Sequence, residues 1–332
     1  MSKILKSAII GFGGMGHHHA AQYAAQSDVK LVAVCDIDPA KLKQADSTIN
    51  IGSSGSVDLA SLHCYECYEK LVAGEPDLDI LDICLPTDLH AEYAIRAVRD
   101  GFNVLCEKPM ALSVEDADAM IAAAKTAGRK LMIAQCLRFN AAYNYIKTAA
   151  ADHRYGKLLG IKMYRDSGLP DGWFRDVKRS GGALMDLQLH DVDFLQYWLG
   201  TPRRVYGAGL YACSGGIDDC QIMLDYPGID MVTVAGSWTR GGFSTGCVVV
   251  FEKGTLELAN GQLNFYASLL GKTDHIDLPA DDNMYANEIG YFAAGVLGKN
   301  PLDRATPEST RESIRIILAE QKAVDSKSAV AL

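Results

Sequence analysis

The chain has 332 residues, 48% hydrophobic and 22% charged, a composition ordinary for a globular protein with room for two cores. Its formal net charge of -9, with no cluster of Lys or Arg, argues against a nucleic-acid partner, because phosphate binding needs gathered cations. No apolar run approaches the roughly 20 residues that span a bilayer, so no membrane partner is expected.

The first element is the apolar run Ser7-Ala8-Ile9-Ile10, and Gly11-Phe12-Gly13-Gly14-Met15-Gly16 follows it directly. A strand that ends in such a turn and opens a helix aims backbone N–H groups and a positive helix end at one spot, which suits a pyrophosphate. Gly11 permits the tight turn, Gly13 lets the backbone approach the phosphates, and Gly16 lets the helix pack close on the strand. Lys30–Cys35 reads as a second strand, with Asp36 at its end, 20 residues beyond Gly16. A dinucleotide site places there the acid that binds the adenosine ribose. A carboxylate accepts from a free 2′-hydroxyl and repels a 2′-phosphate, and Asp38 adds a second negative charge. No Lys or Arg precedes Lys41, so NAD is favoured over NADP. Ile37 is counted with Asp36 as a cofactor contact. Asp36 and Asp38 would equally cap a helix beginning near Pro39.

His17-His18-His19 lies on the first helix, where successive residues point about 100° apart and cannot converge on one ion. No metal site is expected. A helix over residues 39–48 and a Gly/Ser-rich loop at Gly52–Ser56 follow. Next come a helix over 68–73, a buried strand over 78–85, a helix over 89–100 and a strand over 103–106. Ser113 is the N-cap of a helix reaching 127, and residues 130–135 form a further strand. This alternation predicts right-handed crossovers and a parallel sheet covered on both faces.

Past a connecting helix at 141–151, strands dominate: 158–165, 205–211, 220–226, 231–238, 246–252 and 255–258. Pro227-Gly228 is a hairpin turn. Helices at 182–199 and 306–324 interrupt them. The change of pattern sets a boundary within 139–156, giving units 1–138 and 139–332, with a ligand cleft expected between two closely packed domains. The fold class is therefore α/β: a Rossmann dinucleotide-binding domain followed by an α+β domain with a large, mainly antiparallel open sheet.

Glu107-Lys108-Pro109 follows a strand at the edge where parallel sheets bind ligands, which aims Lys108 at the cofactor side. Asp186 and His190 stand four apart on one face of the helix introduced by Gly181-Gly182. A carboxylate one turn from an imidazole holds its orientation, and the imidazole takes a hydroxyl proton as hydride leaves; Lys108 polarises the same oxygen. A capped helix start with a surface ion pair is the plainer alternative. Tyr164, Arg165, Trp173, Arg175 and Arg138 are candidate pocket residues for a polyol. Nine scattered cysteines, several in buried strands, and a start without a signal-peptide cleavage site lead to the expectation of a cytoplasmic protein. Cys64-x-x-Cys67 lacks the second pair that zinc needs.

Taken together, Gly11–Gly16, Leu85-Pro86-Thr87-Asp88-Leu89-His90, Glu107-Lys108-Pro109 and Gly181-Gly182-Ala183-Leu184-Met185-Asp186-x-x-x-His190-Asp191-x-Asp193 resemble the Gfo/Idh/MocA oxidoreductases. Asn287-Glu288-Ile289-x-Tyr291-Phe292 through Thr306-Pro307-Glu308 extends the likeness over nearly the whole chain. The resemblance implies hydride transfer between NAD(P) and a hydroxyl-bearing carbon of a sugar or cyclitol, in a homodimer or homotetramer built through the C-terminal sheet. It implies Lys108, Asp186 and His190 as the catalytic group, and Pro86, Thr87, His90 and Glu107 as contacts near the nicotinamide. Two alternatives stand beside this: a glycosidase using NAD as a transient oxidant, and a non-catalytic dinucleotide sensor.

Overall fold

The computed structural model describes residues 3–44, 57–267, 271–280 and 282–332, so the Gly52–Ser56 loop lies outside the described residues. The chain forms two compact units, Met1–Gln135 with Asn283–Glu308, and Cys136–Asp282 with Ser309–Leu332. The expected single boundary after residue 138 differs from this in two ways. The first unit stops at Gln135, and it takes in a later helix that the sequence pattern did not mark.

In the first unit, parallel strands β1 (Leu5–Ile10), β2 (Val29–Cys35), β3 (His63–Tyr65), β4 (Ile80–Ile83), β5 (Asn103–Glu107) and β6 (Leu131–Ala134) order as β3-β2-β1-β4-β5-β6. That order is the dinucleotide-binding arrangement, with its switch point between β1 and β4. All four residues of β4 and of β6 are buried, as expected of strands covered on both faces. Fully burying one such Ile or Leu stabilises the fold by about 1.5–3 kcal/mol. The covering helices are α1 (Gly14–Tyr23), α2 (Tyr68–Gly74), α3 (His90–Arg99) and α4 (Val114–Ala127). Ser113 Oγ accepts from the Asp116 amide at 3.1 Å, the expected N-cap of α4. The helix expected over 39–48 is, as far as it is described, a single 3-10 turn at Lys41–Lys43. β3 was not anticipated, because two of its three residues are exposed and carry no apolar alternation.

The second unit opens with α5 (Ala141–Ala151) and β7 (Leu158–Gly168), then α6 (Val177–Ser180) and α7 (Leu189–Leu199). It continues with β8 (Arg204–Leu210), β9 (Asp219–Asp225), β10 (Met231–Ser237), β11 (Thr239–Phe251), β12 (Gly254–Ala259), β13 (Gln262–Ala267) and β14 (Thr273–Ile276). Helix α8 (Met284–Val296) belongs to the first unit. Helix α9 (Pro307–Ser326) and β15 (Val330–Ala331) complete the chain. The nine-stranded sheet runs β14-β13-β12-β11-β7-β10-β9-β8-β15, antiparallel except between β7 and β10. Gly228, at φ +79, turns the chain between β9 and β10 as expected. The expected helix 182–199 is not uniform. Gly181 and Gly182 are left-handed (φ +76 and +75), Leu184–Gln188 is a π-helical turn, and only then does α7 begin. Among the described residues no helix is long and apolar enough to cross a membrane.

Candidate functional site

The glycine turn is built as its chemistry requires. Gly11 adopts φ +90, and a Cβ there would meet the Cys84 carbonyl oxygen at 2.5 Å. At Gly16 a Cβ would stand 2.1 Å from the Gly11 carbonyl oxygen. At Gly13, the N-cap of α1, a Cβ would meet nothing within 4 Å, so the backbone stays bare where a pyrophosphate must approach. Gly14 and Met15 open the helix, half-buried, at the positive end of its dipole. Asp36 is buried at the end of β2, its Oδ2 accepting from the Phe12 amide at 2.8 Å and its Oδ1 from the Asp38 amide at 2.9 Å. Ile37 beside it is 87% exposed. Cradle and acid thus fit a dinucleotide. Gly16→Ala is expected to lower both thermal stability and NAD affinity, because its methyl strikes backbone. Gly13→Ala should fold as wild type yet lose at least roughly tenfold in NAD affinity, about 1.4 kcal/mol by calorimetry.

Neighbouring strand ends gather the other expected cofactor residues. Pro86 and buried Thr87 follow β4. His90 is spoken for structurally: its Nδ1 lies 2.7 Å from the Pro109 carbonyl and its Nε2 2.8 Å from that of Leu85, tying the two loops together. Burial pushes its pKa down. Glu107 is buried, with Oε2 accepting from the Lys108 amide at 3.0 Å and Oε1 2.8 Å from His19 Nε2. Lys108 is half-buried at the same strand end.

The three consecutive histidines diverge as the helix geometry dictates. His17 bridges the Gly13 and Gln44 carbonyls at 2.9 and 2.8 Å. His18 sets its ring edge-on to Tyr285, and burial lowers its pKa to about 4. His19 sits wholly buried between Asp82, at 2.9 Å from Nδ1, and Glu107. Burial is the largest influence and opposes its protonation, but Asp82 and Cys84 together outweigh it and hold the pKa well above the usual value. Glu288 of α8 completes the cluster, and its burial, then Glu107, push its pKa far up. The ligand atoms of His19, Glu107 and Glu288 lie within 4.8 Å of one another, the donor types a divalent cation takes. Both His19 nitrogens lie at hydrogen-bond distance from a carboxylate, while both Glu288 carboxylate oxygens are buried with no hydrogen-bond partner among the described residues. Nothing in the sequence pattern assigned Glu288 a role, although it is the lone acid in the largely apolar helix α8.

In the second unit, Asp186 is buried within the π turn and His190 half-buried one step into α7. Two flanking acids anchor this segment. Asp191 takes Arg165 Nη2 at 2.9 Å and Nε at 3.1 Å. Asp193 takes Arg138 Nη2 and Nε, each at 2.7 Å. These contacts correct two pocket expectations. Arg138 is fully buried, and its guanidinium is spent on Asp193, Ser309 and Gln196. Arg165 is likewise an internal ion-pair partner. Strand alternation turns Tyr164 to the face opposite Arg165 and α7, where it lies over Gly246 of β11. Trp173 is half-buried and stacked on Phe174 at 4.0 Å, and Arg175 is exposed and paired with Asp171.

Residues 5–135 match the family model described as "Oxidoreductase family, NAD-binding Rossmann fold", and residues 143–257 match the "GFO/IDH/MocA C-terminal domain". A 1,5-anhydro-D-fructose reductase of Ensifer adhaerens is 36% identical over 40% of this chain and 40% of its own. An inositol 2-dehydrogenase of Rhizobium meliloti (strain 1021) is 29% identical over 70% of this chain and 66% of its own. Both matches thus span less than two thirds of the relative's length. An aldose-aldose oxidoreductase from Caulobacter crescentus, solved with glycerol, superposes with a TM-score of 0.85 at 25% identity, covering 99% of this chain and 100% of that one. With the glycine cradle, the buried acid at the end of β2 and both domain models in place, the chain belongs to the GFO/IDH/MocA family of oxidoreductases.

Proposed function

We propose that this protein is an NAD-dependent dehydrogenase acting on a hydroxyl-bearing carbon of a sugar, cyclitol or related polyol. The observation that carries this reading is the Gly11–Gly16 cradle closed by Asp36, whose carboxylate suits an unphosphorylated ribose. Gly11, Phe12, Gly13, Gly14, Met15 and Gly16 hold the pyrophosphate, Asp36 and Ile37 the adenosine end, and Pro86, Thr87 and Glu107 the nicotinamide end. His90 acts there through the two loops it joins. NAD supplies the hydride acceptor. His190 takes the hydroxyl proton, Asp186 orients its ring, and Lys108 stabilises charge developing on the substrate oxygen. The names of the relatives favour polyol substrates. A half-buried Trp173 offers an aromatic face for one.

Nine cysteines, all free, suit a reducing cytoplasm. Exposed Tyr206 and Met223 pair across β8 and β9, and with Leu210 and Met231 they leave apolar side chains on a sheet surface suited to a homodimer or homotetramer. Light scattering of the purified chain reads its mass directly. The function itself is tested by following NADH formation across a panel of sugars, inositols and sugar acids. Saturable, substrate-dependent reduction of NAD is expected. No reduction with any member, or no calorimetric binding of NAD, would overturn the proposal.

A further inference from the structure

Beneath Asp186 lies a buried arrangement that the proposed chemistry leaves unused. Gln188, the last residue of the π turn, is fully buried. Its Nε2 donates to Glu320 Oε2 of α9 at 3.2 Å, and its Oε1 accepts from the Cys220 thiol of β9 at 2.5 Å. Gly236 of β10 presses against it: a Cβ there would stand 2.9 Å from Gln188 Oε1 and 3.0 Å from its Cβ. Glu320 is itself fully buried, and its Oε1 has no partner among the described residues.

We propose that Gln188, gripped by Glu320 and Cys220 in the space Gly236 leaves, is a positioning residue that fixes the π turn and thereby the aim of Asp186 and His190. This rests on the reading of those two residues given above. A π turn carries one more residue than an α-turn, and without an external hold the chain can relax toward the α-register. That relaxation changes the angle between Asp186 and His190, four residues apart, by up to about 70°. The grip on Gln188 is the hold. It is also sensitive to protonation. The groups facing Glu320 are the Gln188 amide from the π turn, Cys220 from β9 and Tyr226 just after β9, and the latter two have pKa values raised by burial. No cation contributes to the acid's environment among the described residues, and burial pushes its pKa up to about 8. Burial thus favours the neutral form of Glu320, and once ionised it is a buried charge held by a single amide.

The test uses the full chain labelled with ¹³C,¹⁵N-histidine, its ring spectra recorded from pH 6 to 10, with His190 assigned by its loss in His190→Gln. We expect the His190 signals to show an inflection near pH 8 that follows Glu320 and disappears in Glu320→Gln. Gln188→Ala should displace the same signals at every pH and lower turnover by about 10–100-fold at unchanged KM for NAD. His190 spectra of both variants superimposable on wild type would overturn the inference. Should Glu320→Gln fail to fold, Gln188→Ala decides alone, and His190 signals in that variant superimposable on wild type overturn the inference. If His190→Ala is inactive while those spectra superimpose, only this inference falls. If His190→Ala turns over normally, the catalytic reading falls instead.

Discussion

His190→Ala is expected to lower turnover by about 10²–10⁴-fold while leaving NAD affinity unchanged. The reasoning begins with placement. The cradle for the dinucleotide belongs to the first unit, and His190 stands in the second, half-buried after a π turn that no phosphate contact requires. Removing the imidazole therefore leaves Gly11–Gly16 and Asp36 as they are, and calorimetry with NAD reads them separately from chemistry. Asp186→Asn gives the companion result: a smaller fall in kcat with KM held, because an amide still fills the place but no longer stabilises an imidazolium. Lys108→Met should depress kcat with most of its effect on the transition state. Turnover of His190→Ala at the wild-type rate would remove the residue from the mechanism.

Much of this was legible in the amino-acid order. Glycines at 11, 13 and 16 each obey a different steric demand, and a strand, a turn and a terminal acid in fixed sequence leave few folds to choose from. Ser113 announced its helix through a side-chain oxygen placed before an acidic first turn, and helix geometry alone foretold that the three histidines point apart. The π turn was invisible because 3.6 and roughly 4.4 residues per turn keep Asp186 and His190 on nearly one face, so the apolar pattern reads the same either way. Arg138 misled for another reason. An arginine just after a strand looks alike whether it faces a ligand or an internal carboxylate, and its partner Asp193 lies 55 residues away. The direction of Tyr164 was not legible, although alternation along β7 sets it opposite its neighbour Arg165. Only knowing which face the later helix covers turns that alternation into a direction.

That internal carboxylate leads to the largest expected loss of stability. Arg138 and Asp193 have side chains 0% and 1% exposed, joined by two bonds of 2.7 Å, and Ser313 Oγ donates to the same carboxylate at 2.7 Å. Asp193→Ala strands a guanidinium that cannot shed its proton. The cost is about 3–5 kcal/mol, read in urea unfolding or as a fall in Tm on the order of 10 °C. An exposed pair such as Lys125–Glu308 sets the contrast, since its loss should cost under about 1 kcal/mol. The double replacement Arg138→Met with Asp193→Leu should recover most of the stability, because an apolar pair needs no mutual neutralisation. It should recover less of the turnover. The ion pair pins α7 two residues beyond the Asp191–Arg165 bridge, and an apolar contact restores packing without restoring that directional hold on the helix that carries His190. If the double replacement proved as active as wild type, the Arg138–Asp193 pair would be a matter of stability alone.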